Sequence, residues 1–439
     1  MSFTRQRLHP AGLCWRQILP KLGLVATIGL HIGAAHADAV TDWSGIATRT
    51  VVAALPTERP AFGLQMAMTQ AAIYDAVNSI DRSYRPLLVR PTQPTLGASK
   101  EAAAVAAAYK VLIALFPSQA AALLTDYTNS LAAIPDGMAK TRGISIGTEV
   151  ASKVMAARAS DGRLVDAPYA YGTGAGVYQA TATPAPPSPV TPWLAKVKPF
   201  VLKKPWQFRP EGPPDLDSEA YTEALDEVAR LGKSNSTERA PEETELALFH
   251  TMNPNAFWGN NLKSIVIAQD LSLPENARLL AQLWVSAADA AIACWDGKYH
   301  FNFWRPQTAI RNADADGNDD TAADPGWTPL AATPPHPEYP SAHSCITGAT
   351  MEVLRHFAHT KRLELTFVST VPIGGVPTTL TRRYHHIDDF IDDVMDARVF
   401  GGMHFRAANE DGEVLGKRVA RWVSRTEFQP LRRHYPFWN

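Results

Sequence analysis

An all-α protein is predicted from three observations on this 439-residue chain. Apolar residues recur at helical spacing along most of its length, alanine-rich runs are frequent, and no good run of alternating strand pattern with hairpin turns appears. A single proline-dense stretch, 181–216, separates an N-terminal helical region, 38–180, from a C-terminal one, 217–439.

The elements follow in order. Ala61 to Ile80 carries Phe62, Met66, Ile73 and Val77 near helical spacing. Glu101 to Phe116 is rich in alanine, the best helix former. Ser118, just after Pro117, is placed to cap a helix running to Ala132, and Asp136 to cap another running to Ala159. Ten prolines then crowd the chain between Thr181 and Pro214, a density that forbids regular helix and favours extended chain. Trp193, Phe200, Trp206 and Phe208 give this connector apolar surface with which to pack on the protein. Helices resume over Ser218 to Leu231, Pro241 to His250, Leu262 to Asp270, Asn276 to Trp304, Ser341 to His359, Ile387 to Phe400 and Glu413 to Ser424. No internal repeat is present. Asp314-Ala-Asp316-Gly-Asn318 starts like a calcium loop, but Pro325 stands where the twelfth-place carboxylate is required, so it reads as a solvated acidic loop.

Composition narrows the function classes. With 46% apolar residues the chain can build a sizeable core, and a net charge of -1 gives no electrostatic case for nucleic acid or an anionic membrane. Arg5, Arg7, Arg16 and Lys21, the apolar stretch Leu22 to Ile32, and Ala35-His36-Ala37 before Asp38 form an export-signal pattern over residues 1–37. No adjacent arginine pair is present within residues 1–37, which favours the general secretory route and a secreted or periplasmic location. Cleavage would remove four basic side chains and leave a net charge of -5. No other stretch approaches 18 unbroken apolar residues, so no stable membrane insertion is expected after cleavage. Cys14 leaves with the signal, and Cys294 and Cys345 read as two buried thiols.

The chemistry concentrates in three segments. Lys298 and Arg305 lie seven residues apart, which on one helix puts both on one face before Pro306 ends it. Trp295, Phe301, Phe303 and Trp304 flank them, as suits a partly buried anion site. The second segment is His336-Pro-Glu-Tyr-Pro-Ser341-Ala342-His343: Ser341 is a natural N-cap, and free N–H groups at that helix start favour an anion. His343 can act as an acid or base near neutral pH. In the third, Arg398 and His404 are separated by Gly401-Gly402, which can end a helix and present His404 from the next element. Together these offer three cations, a hydroxyl and two histidines to a tetrahedral oxyanion, phosphate or vanadate alike.

These motifs resemble the vanadium-dependent haloperoxidase and acid phosphatase superfamily, whose pattern is Lys, six residues, Arg-Pro; Pro-Ser-Gly-His; and Ser-Arg, five residues, His, three residues, Asp. The first is matched completely. Ala342 replaces the glycine, Ala397 the serine and Ala408 the aspartate, while Arg398 and His404 are kept. The aromatic-Trp-Arg-Pro ending, the Met66-to-Tyr84 region and the connector are similar to bacterial haloperoxidases, so the resemblance spans most of the mature chain and implies their helical bundles.

The resemblance implies vanadate as cofactor, with phosphate able to occupy the same site. Lys298, Arg305 and Arg398 would neutralise the equatorial oxygens, Ser341 and the Ala342 N–H would bond to them, His404 would be the axial metal ligand, and His343 the acid–base residue. Hydrogen peroxide, halide and a small organic acceptor would be the partners, giving hypohalous acid or its equivalent. His336 stands where bromoperoxidases of the family carry histidine, which points to bromide or iodide. The alternatives are a soluble acid phosphatase with His404 as nucleophile, and a non-catalytic relative that keeps the anion pocket. In the family the aspartate helps position the axial histidine, so Ala408 removes a partner whose loss costs about 10- to 100-fold in affinity or activity. Asn409, Glu410 and Asp411 are the neighbours that could replace it.

Overall fold

Asp38 opens the first helix, α1 (Ala39–Ala53), by accepting the N–H groups of Val40 and Thr41 at 3.0 and 2.9 Å. The computed structural model describes residues 37–54, 61, 63–182, 184–186 and 188–431. The expected export signal lies outside them apart from Ala37, and so does Phe62. Helix α1 was not expected, because its threonines and valines have modest helix propensity. Tertiary burial of Val40, Trp43, Ala47 and Val51 holds it instead.

Helices α2 (Leu64–Asp81), α3 (Lys100–Leu115), α4 (Ala120–Ala132) and α5 (Met138–Ala157) follow near the expected positions. Two expected caps are corrected. A 3-10 turn over Pro117–Gln119 precedes α4, so Ser118 is not its cap. Gly137 rather than Asp136 is the N-cap residue of α5, and Asp136 pairs with Lys140 at 2.7 Å. Gly147 lets α5 lie close on α3, since a Cβ there would stand 2.9 Å from the Ala106 Cβ.

The connector is extended, with 3-10 turns over Pro192–Lys196 and Pro205–Phe208. Its prolines leave few backbone pairings, and buried Asp289 supplies partners by accepting the N–H groups of Phe200, Val201 and Leu202 at 2.6, 2.8 and 2.9 Å. Trp193 is buried as expected, whereas Trp206 is 53% exposed.

The C-terminal region holds α6 (Glu219–Leu231), α7 (Pro241–Phe249), α8 (Pro254–Ile267), α9 (Leu273–Phe301), α10 (Pro306–Arg311), α11 (Ala342–Ala358), α12 (Ile387–Phe400) and α13 (Arg406–Thr426). Helices α8 and α13 start eight and seven residues earlier than expected. Helix α9 is long and apolar enough to cross a membrane, yet 94% of its apolar window is buried, against α2, α11 and α13 among others. One core joins the two regions, from Val40 on α1 to Phe428 after α13.

Between α11 and α12 the chain forms an antiparallel hairpin, β1 (Arg362–Ile373) and β2 (Val376–His386), where no strand was expected. The alternation is there in Leu365, Phe367, Ser369 and Val371, all buried, but Pro372 and Pro377 next to the turn obscure it. Gly374 and Gly375, at φ +58° and +83°, provide the left-handed two-residue turn.

Candidate functional site

Lys298 lies in the last turn of α9, which ends at Phe301. Asn302 adopts φ 50° and returns its N–H to the Lys298 carbonyl at 2.9 Å. Lys298 and Arg305 are therefore not on one helix. Pro306 begins α10 instead of ending α9, with Arg305 extended before it at φ −81°, ψ 153°. The two cations still converge, both fully buried, because residues 302–304 bond to the strand-like stretch 176–178 and fold back toward α9.

Each cation is anchored from the backbone. The Lys298 ammonium donates to the carbonyls of Pro337, Glu338 and Pro340 at 3.0, 2.9 and 2.6 Å. Gly297 permits this approach, since a Cβ there would stand 2.8 Å from the Pro340 Cδ. Arg305 donates from Nε to the His336 carbonyl at 2.9 Å and from Nη1 to the Met403 carbonyl at 2.8 Å. Its Nη1 also meets His404 Nε2 at 3.1 Å, and its Nη2 meets His336 Nδ1 at 3.0 Å. Arg398, on α12, donates to the His250 carbonyl at 3.2 Å and to the Met403 sulfur at 2.8 Å. Burial lowers Lys298 to about 8, Arg305 to about 10 and Arg398 to about 9, and Arg305 lowers both of the others further by repulsion.

Ser341 occupies the N-cap of α11, as expected, but makes no cap hydrogen bond. Its N–H donates to the Ala408 carbonyl at 2.8 Å, and its Oγ is buried without a partner. Helix α12 ends at Gly401-Gly402. Gly402 needs its φ of +73° and tolerates no side chain, because a Cβ would stand 2.6 Å from the Gly232 carbonyl oxygen. That turn delivers His404 to the site.

A cavity of about 400 Å³ opens beside this cage. His336, Ala342, His343, Arg398 and His404 line one side, and Met252, Trp258, Trp295 and Ile346 supply apolar wall. Lys298, Arg305 and Ser341 are brought to the same place but lie behind the lining. Burial first, then the nearby cations, hold His336, His343 and His404 well below the usual imidazole range, so all three are neutral near pH 7. Cys294 and Cys345 are free and buried, and the Cys294 thiol donates to the Pro340 carbonyl at 3.5 Å.

Two site residues were not anticipated. His250 lines the cavity from the end of α7, and only the fold brings it there. Glu338 is fully buried and accepts from His404 Nδ1 at 2.8 Å and from the Phe405 N–H at 3.0 Å. Burial raises its carboxyl to about 7 despite the pull of Arg305 and Lys298. A carboxylate inside the Pro-rich loop next to Ser341 was its only sequence signal. The expected substitutes for an aspartate at 408 are engaged elsewhere: Asn409 with Ser344 and the Phe405 carbonyl, Asp411 with the Tyr339 hydroxyl. Glu410 is exposed.

Comparison with known proteins places these features. A family model described as the VCPO second helical-bundle domain matches residues 278–432, which include all three motifs. Vanadium chloroperoxidase of Curvularia inaequalis is 29% identical over 212 residues, covering 39% of this chain and 34% of that protein. The chain thus spans about a third of the length of this curated relative. Among solved structures, a bacterial vanadium-dependent iodoperoxidase superposes with a TM-score of 0.73 at 24% identity, covering 91% of this chain and 99% of the other. A holo-type bacterial vanadium-dependent chloroperoxidase superposes with a TM-score of 0.67 at 19% identity, covering 90% and 95%. At these identities the structures speak for the fold.

Proposed function

We propose that this chain is a member of the vanadium-dependent haloperoxidase and acid phosphatase superfamily, as the match of its last third to the VCPO second helical-bundle domain supports, and that it is a vanadate-dependent haloperoxidase oxidising bromide or iodide with hydrogen peroxide. The observation that carries the reading is the convergence of three buried cations on His404 at the edge of a cavity with apolar walls.

The residues fit an oxyanion. Lys298, Arg305 and Arg398 face one buried carboxylate, Glu338, so positive charge is left for an incoming anion to balance. Ser341 Oγ and Arg398 Nε are buried with no partner, and the α11 N-terminus starts beside them at Ala342. A tetrahedral oxyanion would satisfy these donors. His404 would hold it through Nε2, and Arg305, whose Nη1 lies 3.1 Å from that nitrogen, would help balance its charge.

Vanadate, when bound, supplies a Lewis acid that polarises peroxide toward attack by halide without changing oxidation state. His343, neutral in the cationic site, is suited to take a proton from peroxide. The charge of a bound oxyanion would raise its basicity and let it return the proton later. The cavity's apolar side admits a small organic acceptor, and the His336 ring lies against Trp295 at 5.2 Å on the cavity wall, where it bears on the halide. Export rests on the pattern of residues 1–37, and an N-terminus at Asp38 in the secreted or periplasmic protein would verify it.

Purified mature protein should halogenate an organic acceptor only when orthovanadate, peroxide and bromide or iodide are all present. Phosphate-ester hydrolysis measured in parallel tests the phosphatase alternative, in which His404 attacks phosphorus in the same cage. Ester turnover without vanadate-dependent halogenation would overturn the proposal. Inactivity in both assays would favour a non-catalytic anion-binding relative.

A further inference from the structure

We infer that Glu338 is the positioning residue for His404, holding its imidazole in the one tautomer that turns an Nε2 lone pair toward the cage. The inference rests on the oxyanion reading of the site but not on halogenation.

Hydrogen-bond bookkeeping settles the tautomer. A guanidinium has donors only, so Arg305 Nη1, 3.1 Å from His404 Nε2, requires Nε2 to accept. The proton of the neutral ring is then on Nδ1, where Glu338 Oε1 receives it at 2.8 Å. Glu338 is itself immobilised. Its N–H donates to the Phe303 carbonyl at 2.9 Å, its carbonyl accepts from Lys298 Nζ at 2.9 Å, and Oε1 takes the Phe405 N–H at 3.0 Å. One residue thus touches the segments of Lys298, Ser341 and His404 together.

Position 408 explains why the carboxylate comes from this loop. Ala408 and Glu338 line the same small void, about 10 Å³, with Tyr339 and Phe405. A carboxylate at 408 would thus compete with Glu338 for the same space. The chain therefore keeps a carboxylate on the imidazole while moving its origin from after the histidine to before the serine. Such partners fix ring orientation and ligand basicity.

The test uses the full mature protein with orthovanadate and inorganic phosphate as probes. Nitrogen-15 NMR of the His404 ring in the wild type should show the Nδ1–H tautomer. Glu338→Ala should leave the His404 Nδ1–H without its acceptor, loosen the ring and weaken both oxyanions about 10- to 100-fold by calorimetry. Glu338→Gln, whose amide oxygen can still accept, should keep the tautomer, and Glu338→Ala/Ala408→Asp should regain about tenfold of the lost affinity. An Nε2–H ring in the wild type overturns the inference. So does a folded Glu338→Ala variant that binds vanadate as tightly as the wild type. If Glu338→Ala does not fold, the wild-type spectrum and Glu338→Gln decide. A wild type that binds vanadate through the expected tautomer but never halogenates supports the positioning role and defeats the haloperoxidase reading.

Discussion

Gly416 on α13 lies directly against the Cys345 carbonyl on α11: a Cβ at 416 would overlap that oxygen and stand 2.7 Å from the Ala349 nitrogen. Gly412 and Gly348 make similar approaches along the same crossing, to the Ser341 and Glu413 carbonyls. Because Ser341 is the N-cap of α11, this crossing sets where the hydroxyl and the helix start meet the cage. Gly416→Ala should cost about 1–3 kcal/mol in urea unfolding and weaken phosphate binding with it. Unchanged stability would mean that α11 and α13 can separate freely.

His404→Ala should abolish vanadate-dependent halogenation while leaving the helical circular dichroism intact. Glu338 would lose its imidazole partner in a buried place, so stability should fall by about 1–3 kcal/mol. Retained halogenation would refute the role of His404 as the residue that holds vanadate.

His343→Ala should lower the halogenation rate by about 10²- to 10⁴-fold, because proton transfer is lost while the cations stay. Orthovanadate affinity, read by calorimetry, should change little. A large loss of affinity with an unchanged rate would assign His343 to binding instead.

Histidine burial predicts an acid limb of stability. Burial, with Arg398 and Arg382 nearby, lowers His250 to about 3, below its unfolded value near 6.5. The folded state therefore binds fewer protons than the unfolded state between those values. The contribution is fully present above about pH 6.5 and is lost as pH falls toward 3, reaching about 2 kcal/mol by pH 5. His250→Phe, compatible with the surrounding rings of Phe249, Phe257 and Phe390, should lessen this slope in unfolding measured at pH 7 and 5, the remainder coming from His336, His343 and His404. An identical slope in the variant would exclude His250 as its source.

Local signals were legible in the sequence and non-local ones were not. Ser341, His343, Arg398 and His404 could be read because each sits at a helix boundary marked by proline, serine or paired glycines. Arg305 could be identified but was given the wrong element, because Asn302 ends α9 through a left-handed residue that spacing alone does not reveal. Glu338 and His250 reach the site through contacts with chain 66 and 148 residues away, which no local pattern encodes. The hairpin was masked by its own prolines, and α1 by residues that become helical only when buried.

The three carbonyls around Lys298 have a consequence for the strength of the site. They grip the ammonium through dipoles, which bear no net charge, and not through a carboxylate that would cancel it. The cation is thus geometrically satisfied and electrostatically unspent: a visiting anion meets its full unit of charge without waiting for an ion pair to break. A carboxylate in place of any one of those carbonyls would hold the lysine as firmly and leave the cage with less reason to bind anything at all.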